Sequence, residues 1–594
     1  MTSEPVVETL LGVEQSAAGR RWVMRPYDER LALTIAQRHG LPDAVSRILS
    51  QRGITTEVVG DYLNPNLAEI MPDPFVLADL EKAASRLADA VIHNEKIAVF
   101  GDYDVDGATS AACLIKFMRQ LGITPELYVP NRMTEGYGPS VPAFKSLIDE
   151  GVGVIVTVDC GTMAHEALAF AKEQSVDVIV ADHHQTGTSL PDCFALVNPR
   201  RGDDMSGLGN LAAVGVTFML LVGLRRELRN RGYFSLRDEP NLMTLTDLVA
   251  LGTVCDVVPL EGLNRALVSQ GLRVMARREN TGIKAMIDLC KLENAPEASD
   301  CGFKLGPRIN AGGRVGESDL GTRLLIADNP DEAAGLALRM DELNTHRRSL
   351  GDENLSLAER MIEDIISHRN GLPPYILLSH REFHAGVIGI VAGRLKDKYN
   401  RPTFVIALDV DGTGKGSARS IKSVDIGRMV SGAVQAEVLH AGGGHAMAAG
   451  VTTHIDQLAD FENYLSKELG EMSFSGPREM MFDCAVSPSG AVREFHDLLS
   501  RIGPFGAGNP EPRMVLPAVH VLHAEIVGAG HVRCRFGDDQ GGKLSAMAFA
   551  SVDEPVRNMI LSGARVLHVA GTLKADNWRG RNGVQFMVQD VASI

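Results

Sequence analysis

Residues 96–110, KIAVFGDYDVDGATS, constrain this chain more than any other stretch. Ile97 to Phe100 form an unbroken apolar run, as in a strand buried on both faces. Gly101 ends it, and three carboxylates follow at alternate positions, Asp102, Asp104 and Asp106. Gly107 permits a tight turn, and 108–121 reads as a helix. This order places an acidic cluster at the C-terminal end of a parallel strand, where open α/β sheets put their ligand sites. On an extended backbone, neighbouring carboxylates point to opposite sides, so two of the three share a direction. Like charges held close need a cation, or else they take up a proton. A solvated acidic loop is the bland alternative for this stretch alone.

The same grammar repeats on either side. Residues 81–93 read as an amphipathic helix with Ala83, Leu87, Ala90 and Val91 on one face. Residues 127–129 read as a strand, followed by PNRMTEGYG, a loop by its Gly, Pro and Asn content. A strand over 152–158 ends at Asp159, a helix covers 163–174, and a strand over 176–181 ends in Asp182, His183 and His184. Leu196 and Val197 lead to another loop, NPR, and a helical 242–251 precedes GTVCDVVPL with Asp256. This β-α-β-α alternation predicts a doubly wound parallel sheet with its chemically rich residues gathered at strand ends. Carboxylates and two histidines without a thiolate suit Mn²⁺ or Mg²⁺ better than structural zinc. Such a set can bridge two ions roughly 3.5–4 Å apart and cut a phosphodiester by in-line attack of water. A polar turn would also explain the histidine pair, and no Ser or Cys lies in a recognisable activating motif.

Composition bounds the rest. At 594 residues the chain exceeds one core and predicts three or four domains. Its net charge of −16 gives no general pull toward nucleic acid, so such binding needs local basic patches and metal ions. Eight scattered cysteines without a CxxC pair argue against a disulfide framework and fit a reducing cytoplasm. No basic segment followed by an apolar core marks a signal peptide. Residues 205–224 carry no charge and have the length of a membrane span. Their four glycines, with Ser206, Asn210 and Thr217, point to a buried helix, and a span would part the acidic cluster from Asp256.

Residues 1–75 read as a helical lead-in. In 303–316, FKLGPRINAGGRVG, two arginines and an asparagine among glycines predict a phosphate-holding loop, with an ordinary surface loop as the alternative. Residues 331–370 read as a long connecting helix, broken near Gly351 and stopped by the following Gly-Leu-Pro-Pro. A smaller α/β unit then contains HAGVIGIVAGR, GKGSARS and HAGGGHAMAAG, read as loops in which Arg394, Arg419 and His445 could cradle a second phosphate. Five short β-type runs within 480–594 predict a small OB-like barrel. Trp578, Arg579, Gly580 and Arg581 at a turn suit a single-strand contact, while a partner-docking or purely structural barrel would look the same.

Taken together, GDYDVDG, VTVDCG, ADHHQ and GTVCDVVPL resemble the successive signature motifs of the DHH phosphoesterase superfamily. With PNRMTEGYG, LGPRINAGGRVG, GKGSARS, GGGHAMAAG, GPFGAGNPEP and NWRGR added, residues 80–594 resemble its bacterial single-strand-specific 5′→3′ exonucleases. The resemblance implies a parallel-sheet DHH domain (76–325), a connecting helix (326–371), a DHH-associated domain (372–470) and an OB-like nucleic-acid-binding domain (480–594) after the 1–75 lead-in. Asp104, Asp106, Asp159, His183 and Asp256 match metal-ligand positions, and Asp102, Asp182 and His184 match supporting or phosphate-contacting ones. Arg132, Arg308, Asn310, Arg314, Ser417 and Arg419 match positions holding the substrate and its 5′-phosphate, with His445 a further contact. Gly312, where alanine is commoner, and Pro139, where leucine is commoner, touch no ligand position. The implied activity is two-metal release of 5′-mononucleotides from single-stranded DNA in repair and recombination. The implied setting is a cytoplasmic monomer, away from membranes, working with a helicase and a single-strand-binding protein. Hydrolysis of oligoribonucleotides or cyclic dinucleotides is the alternative within the superfamily. A non-catalytic replication scaffold is the alternative outside it, and its mark would be missing acids.

Overall fold

The computed structural model describes residues 8–132, 134–369, 371–470, 472, 478–563, 566–577 and 582–594. The turn carrying Trp578, Arg579, Gly580 and Arg581 lies outside them. A five-stranded parallel sheet runs in the order Glu126–Tyr128, Ile97–Gly101, Val154–Val158, Asp177–Ala181 and Ala195–Val197. The chain moves outward on one side of Ile97–Gly101 and then crosses to the other, so the topological switch lies between Ile97–Gly101 and Val154–Val158. Open sheets bind ligands at that crevice. Helices Leu80–Ile92, Val105–Gln120 and Ala213–Asn230 bury one face of the sheet, and Val141–Asp149 and His165–Glu173 bury the other.

Several local expectations change for identifiable reasons. The helix after the central strand begins at Val105, not at 108. Asp104 is its N-cap, with Oδ1 accepting from the backbone N–H of Asp106 at 2.8 Å and of Gly107 at 3.1 Å. The acids therefore sit on a turn rather than an extended backbone, and alternation does not set their directions. Gly107 is required sterically, because a Cβ there would lie 2.4 Å from the Asp102 carbonyl oxygen. The apolar 205–224 stretch is a loop up to Ala212 and then the buried helix Ala213–Asn230. Among the described residues no helix is long and apolar enough to cross a membrane.

Residues 303–316 are not a loop. They form the helix Gly306–Val315, entered through a wide turn over Cys301–Leu305. Its glycines serve close packing: a Cβ on Gly313 would lie 3.1 Å from the Tyr103 carbonyl, and one on Gly306 2.5 Å from Cys255 Sγ. The connecting helix Pro330–Arg369 is continuous through Gly351 and spans about 60 Å. One helical glycine costs only about 1 kcal/mol, too little to break a helix packed along its length.

The second α/β unit orders its strands Ala441–His445, Ala448–His454, Thr413–Arg419, Thr403–Leu408 and Ile376–His380. GKGSARS and the glycine triplet are thus strands, and most of HAGVIGIVAGR is helix Ile388–Tyr399. Glycine is needed in Thr413–Arg419 because a Cβ on Gly416 would meet Val451 Cγ2 at 2.4 Å. The C-terminal strands Met514–Val527, His531–Gly537, Lys543–Ala548, Gly583–Ser593 and Val566–Asp576 close on one another as a five-stranded barrel.

The amino-terminal segment is not merely a helical lead-in. Arg20–Met24 is a strand paired in parallel with Arg478–Phe482, some 450 residues later. Trp22 packs on Phe482 with ring centroids 4.9 Å apart and donates its indole N–H to Asp590 Oδ2 at 3.1 Å. Ile35, Val45, Ile48 and Leu49 enter the barrel's own core. Arg265, buried in the sheet unit, stacks on Tyr62 at 3.9 Å and donates to the carbonyls of Tyr62, Ile502 and Gly503. Both ends of the chain thus meet on one body. Replacing Trp22 by Ala should destabilise the protein by about 3–5 kcal/mol, measured by denaturant unfolding followed by circular dichroism. A loss below about 1 kcal/mol would show that the barrel does not depend on the amino-terminal strand.

Candidate active site

Five elements deliver the acids and histidines to one place. Asp102 and Asp104 follow Ile97–Gly101, Asp159 follows Val154–Val158, the Asp182–His184 turn follows Asp177–Ala181, and Asp256 caps helix Thr246–Cys255. Asp106 projects from the first turn of Val105–Gln120. Ligand atoms lie within 4.8 Å of one another in three sets: Asp102, Asp104 and Asp159; Asp106, His183 and Asp256; and Asp159, His183 and His184. His183 Nε2 lies 3.5 Å from Asp159 Oδ1, 3.6 Å from Asp256 Oδ2 and 3.9 Å from Asp106 Oδ2. Its Nδ1 faces the Leu211 carbonyl at 3.1 Å, which can only accept, so Nδ1 carries the proton and Nε2 offers a lone pair.

Asp102 Oδ1, Asp159 Oδ1, Asp256 Oδ2 and His183 Nε2 are buried without a hydrogen-bond partner. Leaving such groups unpaired is costly, and divalent cations held by the three sets would satisfy them. Oxygen donors with imidazole fit Mn²⁺ or Mg²⁺. The electrostatics agree. Burial first, and then the neighbouring Asp256, push the Asp106 carboxyl up to about 7; burial and Asp104 do the same to Asp256. Asp102 and Asp159 rise well above the ordinary range, through burial and then Asp104. Burial also lowers His183, keeping it neutral.

Asp182 behaves in the opposite way. Its burial is outweighed by the His184 hydrogen bond and charge and by Thr162, so its carboxyl falls below the usual range. Oδ1 accepts from His184 Nδ1 and from the backbone N–H groups of His183 and His184, and Oδ2 accepts from that of Thr162. It is occupied with holding the turn, in keeping with a supporting position. For His184, burial is outweighed by Asp182, which raises the imidazole to about 9 and keeps it protonated at neutral pH.

The local backbone is shaped to this end. Asp159 adopts φ 61°, a left-handed conformation that aspartate tolerates at a strand end. Asp106 accepts from the N–H groups of Ala213 at 2.7 Å and Val214 at 2.9 Å, capping the next helix. Gly252 lets Asp106 approach, since a Cβ would lie 3.0 Å from its Oδ1. Sequence reasoning missed three supporting residues in loops it recognised only as loops. Tyr137 donates to the Asp159 carbonyl at 3.0 Å and lies edge-on to His184. Asn198 is fully buried and donates to Thr162 Oγ1 and the His184 carbonyl, both at 2.9 Å. Arg200 places a positive charge beside His183 and Asp256.

A cationic pocket adjoins the acids. Arg314 donates to the Gly386 carbonyl across the junction of the two α/β units at 3.1 Å. Arg419 donates to Ser417 Oγ at 2.9 Å, and Arg132 stacks on Tyr103 at 5.2 Å. Burial, then repulsion from Arg132, Arg347 and Arg419, brings Arg314 down to about 10. Arg308 does not join them: it pairs with Asp341 at 2.8 Å and donates to the Lys304 carbonyl. In a loop both arginines could face one phosphate. Six positions apart on a helix, they point roughly 120° apart. Asn310 keeps to the Arg314 face, one turn earlier. His445 is exposed on the edge strand, aligned through Ala448 with Arg419 on one sheet face, about 10 Å from it. Arg394 is paired with Asp352 at 2.7 Å.

Residues 96–253 match the DHH family N-terminal domain, 372–471 the DHHA1 domain and 482–590 the RecJ OB domain. The single-stranded-DNA-specific exonuclease RecJ of Escherichia coli K12 is 35% identical over 566 residues, 93% of this chain and 96% of that one. The Bacillus subtilis 168 exonuclease of the same name is 32% identical over 588 residues, 97% of this chain and 71% of that one. Among solved structures, RecJ from Thermus thermophilus in complex with Mn²⁺ superposes with a TM-score of 0.78 at 27% identity. It covers 96% of this chain and 79% of that one, and the Mg²⁺ complex gives a TM-score of 0.72 at 26% identity.

Raised carboxyls make the folded state bind more protons than the unfolded one between about pH 4 and pH 7. Chelator-treated protein should therefore lose stability as pH rises through that window. Mn²⁺ should raise the thermal midpoint more at about pH 8 than at about pH 5, because protons compete for the same oxygens. An equal shift at both pH values, read by scanning fluorimetry, would count against a cation held by these carboxylates.

Proposed function

Because this chain belongs to the RecJ family of single-stranded-DNA-specific exonucleases, we propose that it hydrolyses single-stranded DNA from the 5′ end to 5′-mononucleotides, with Mn²⁺ or Mg²⁺, in repair and recombination. The observation that carries the reading is the convergence of four partnerless buried donors beside a pocket of arginines. Asp104, Asp106, Asp159, His183 and Asp256 would hold two ions, with Asp102 completing the acid wall. Divalent ions bound there supply charge neutralisation of the phosphate and a nucleophilic water at neutral pH.

The remaining roles belong to the chain's own groups. Asp182 holds His184 as an imidazolium at the rim, its ring beside the Tyr137 hydroxyl, where its positive charge can meet a phosphate oxygen. Arg314, Arg419, Ser417 and Arg132 hold a terminal 5′-phosphate, so that the first phosphodiester reaches the acids. Asn310 and His445 line the approach. This pocket sets polarity, because only an end presents a phosphate that can enter it. The cleft between the two α/β units clamps one strand and excludes duplex. A groove runs from Val257, beside Asp256, to the barrel, with Phe303 and Phe505 to stack bases and Arg273 to meet phosphates. We assign the sheet unit to chemistry, residues 372–470 to holding the end and the barrel to the strand. A cytoplasmic monomer served by a helicase and a single-strand-binding protein completes the proposal. Hydrolysis of oligoribonucleotides or cyclic dinucleotides is not favoured, because the RecJ likeness runs on through the barrel. The expected mark of a dead scaffold is also missing: every acid is present.

The test is digestion of a single strand labelled in turn at each terminus, with Mn²⁺ present. Labelled mononucleotide should appear at once from the 5′ label and only late from the 3′ label; the reverse order would overturn the proposed polarity. Asp104→Ala, Asp159→Ala and His183→Ala should each lower kcat by about 10²–10³-fold or more, and full activity in any of them would remove that ligand. Arg314→Ala and Arg419→Ala should erode preference for a 5′-phosphorylated end. Arg308→Ala should leave that preference intact, and its loss would place Arg308 back in the pocket.

A further inference from the structure

The connecting helix turns a polar stripe toward the junction of the two α/β units. Asn344, Arg347, Gly351 and Asn354 recur at helical spacing, and Asn344, Gly351 and Asn354 are buried. Asn354 Oδ1 accepts from the His384 N–H of the second unit at 2.8 Å. At the other end of the stripe, Gly316 lets the chain after helix Gly306–Val315 close on Leu343, where a Cβ would lie 2.6 Å from Leu343 Cδ1. Arg347 lies one turn beyond Leu343, which brings its charge beside that of Arg314.

Arg347 donates through Nη2 to Asn344 Oδ1 at 2.8 Å, which fixes the plane of its guanidinium. Its Nε–H is buried without a partner. Among the described residues, no carboxylate pairs with Arg132, Arg314, Arg347 or Arg419, while the nearby Asp352 is engaged by Arg394. Four guanidinium groups from four separate elements thus gather near one another, with Asp104 near Arg314, Asp102 near Arg132 and Asp352 near Arg347, but with no carboxylate bonded to any of the four among the described residues. An excess of guanidinium over carboxylate favours a bound anion.

We propose that Arg347 is the specificity-determining residue of this pocket, the fourth guanidinium, which distinguishes a 5′-phosphorylated end from a 5′-hydroxyl end. The inference rests on the reading of the pocket given above and deepens it. A phosphodiester carries one charge and two free oxygens. A terminal monoester offers three oxygens and nearly a second charge at neutral pH. Three guanidiniums and the Ser417 hydroxyl already suffice for a diester, so a fourth cation is matched only by the monoester. Arg347 is also the one that stands on the helix joining the units. A terminal phosphate would tie that helix to Arg314 of the sheet unit and Arg419 of the second unit.

The experiment compares kcat/KM on one single-stranded oligonucleotide bearing either a 5′-phosphate or a 5′-hydroxyl, in full-length protein with Mn²⁺. Arg347→Gln should lower the phosphorylated value by about 10–100-fold and leave the hydroxyl value little changed. Arg347→Lys, which keeps charge but loses the fork, should fall between. Arg339→Gln, an exposed change on the same helix, should alter neither. Inorganic phosphate should raise the thermal midpoint of the wild type and not of Arg347→Gln. An unchanged preference, or an equal fall on both substrates, would overturn the assignment. Should Arg347→Gln fail to fold, the ratio in Arg347→Lys decides. A wild type with no preference for the phosphorylated end would instead overturn the pocket reading itself.

Discussion

Buried carboxylates facing one another without hydrogen-bond partners are the constraint on which this structure turns. Asp159 and Asp256 each leave an oxygen unpaired beside the His183 lone pair, and Asp102 leaves another next to Asp159. In a low-dielectric interior, like charges at that range repel strongly unless a cation intervenes or protons bind. The scaffold therefore has to hold the acids by other means than their mutual contact. It does so with backbone N–H groups: those of Ala213 and Val214 on Asp106, those of Asp106 and Gly107 on Asp104, and those of Thr162, His183 and His184 on Asp182. Each carboxylate so anchored also settles a turn or a helix start. Fold and site are one arrangement here.

The arginine pocket repeats the problem with the opposite sign. Arg314 and Arg419 come from different units, and Arg347 of the connecting helix adds its charge beside Arg314. A negative cluster that wants cations and a positive cluster that wants an anion stand side by side. Local patches of this kind, and not the overall charge of −16, are what an acidic protein needs in order to hold nucleic acid.

Glycine was the residue most often misread. In 303–316, in GKGSARS and around Gly442 its frequency suggested loops, yet the chain there is helix or strand. Glycine gives the backbone freedom, but it also removes bulk, and a sequence cannot say which use applies. Only the neighbours decide: Tyr103 against Gly313, Val451 against Gly416. The error carried a cost for function, because treating 303–316 as a loop put Arg308 and Arg314 on the same phosphate. The loops NPR and TEGYG hid Asn198, Arg200 and Tyr137 for a related reason. Their roles depend on what stands opposite, not on what stands adjacent.

By itself the sequence determined the parallel sheet, the barrel, the connecting helix and the set of acids and histidines that gather at strand ends. Those follow from local periodicity and from residue chemistry, which any stretch of chain carries with it. Only the tertiary structure decided which oxygens remain unpaired, that Arg308 pairs with Asp341 while Arg347 bonds Asn344, and that Arg20–Met24 belongs with a barrel some 450 residues later. Such facts depend on contacts between segments far apart in the chain, and no local pattern encodes the partner.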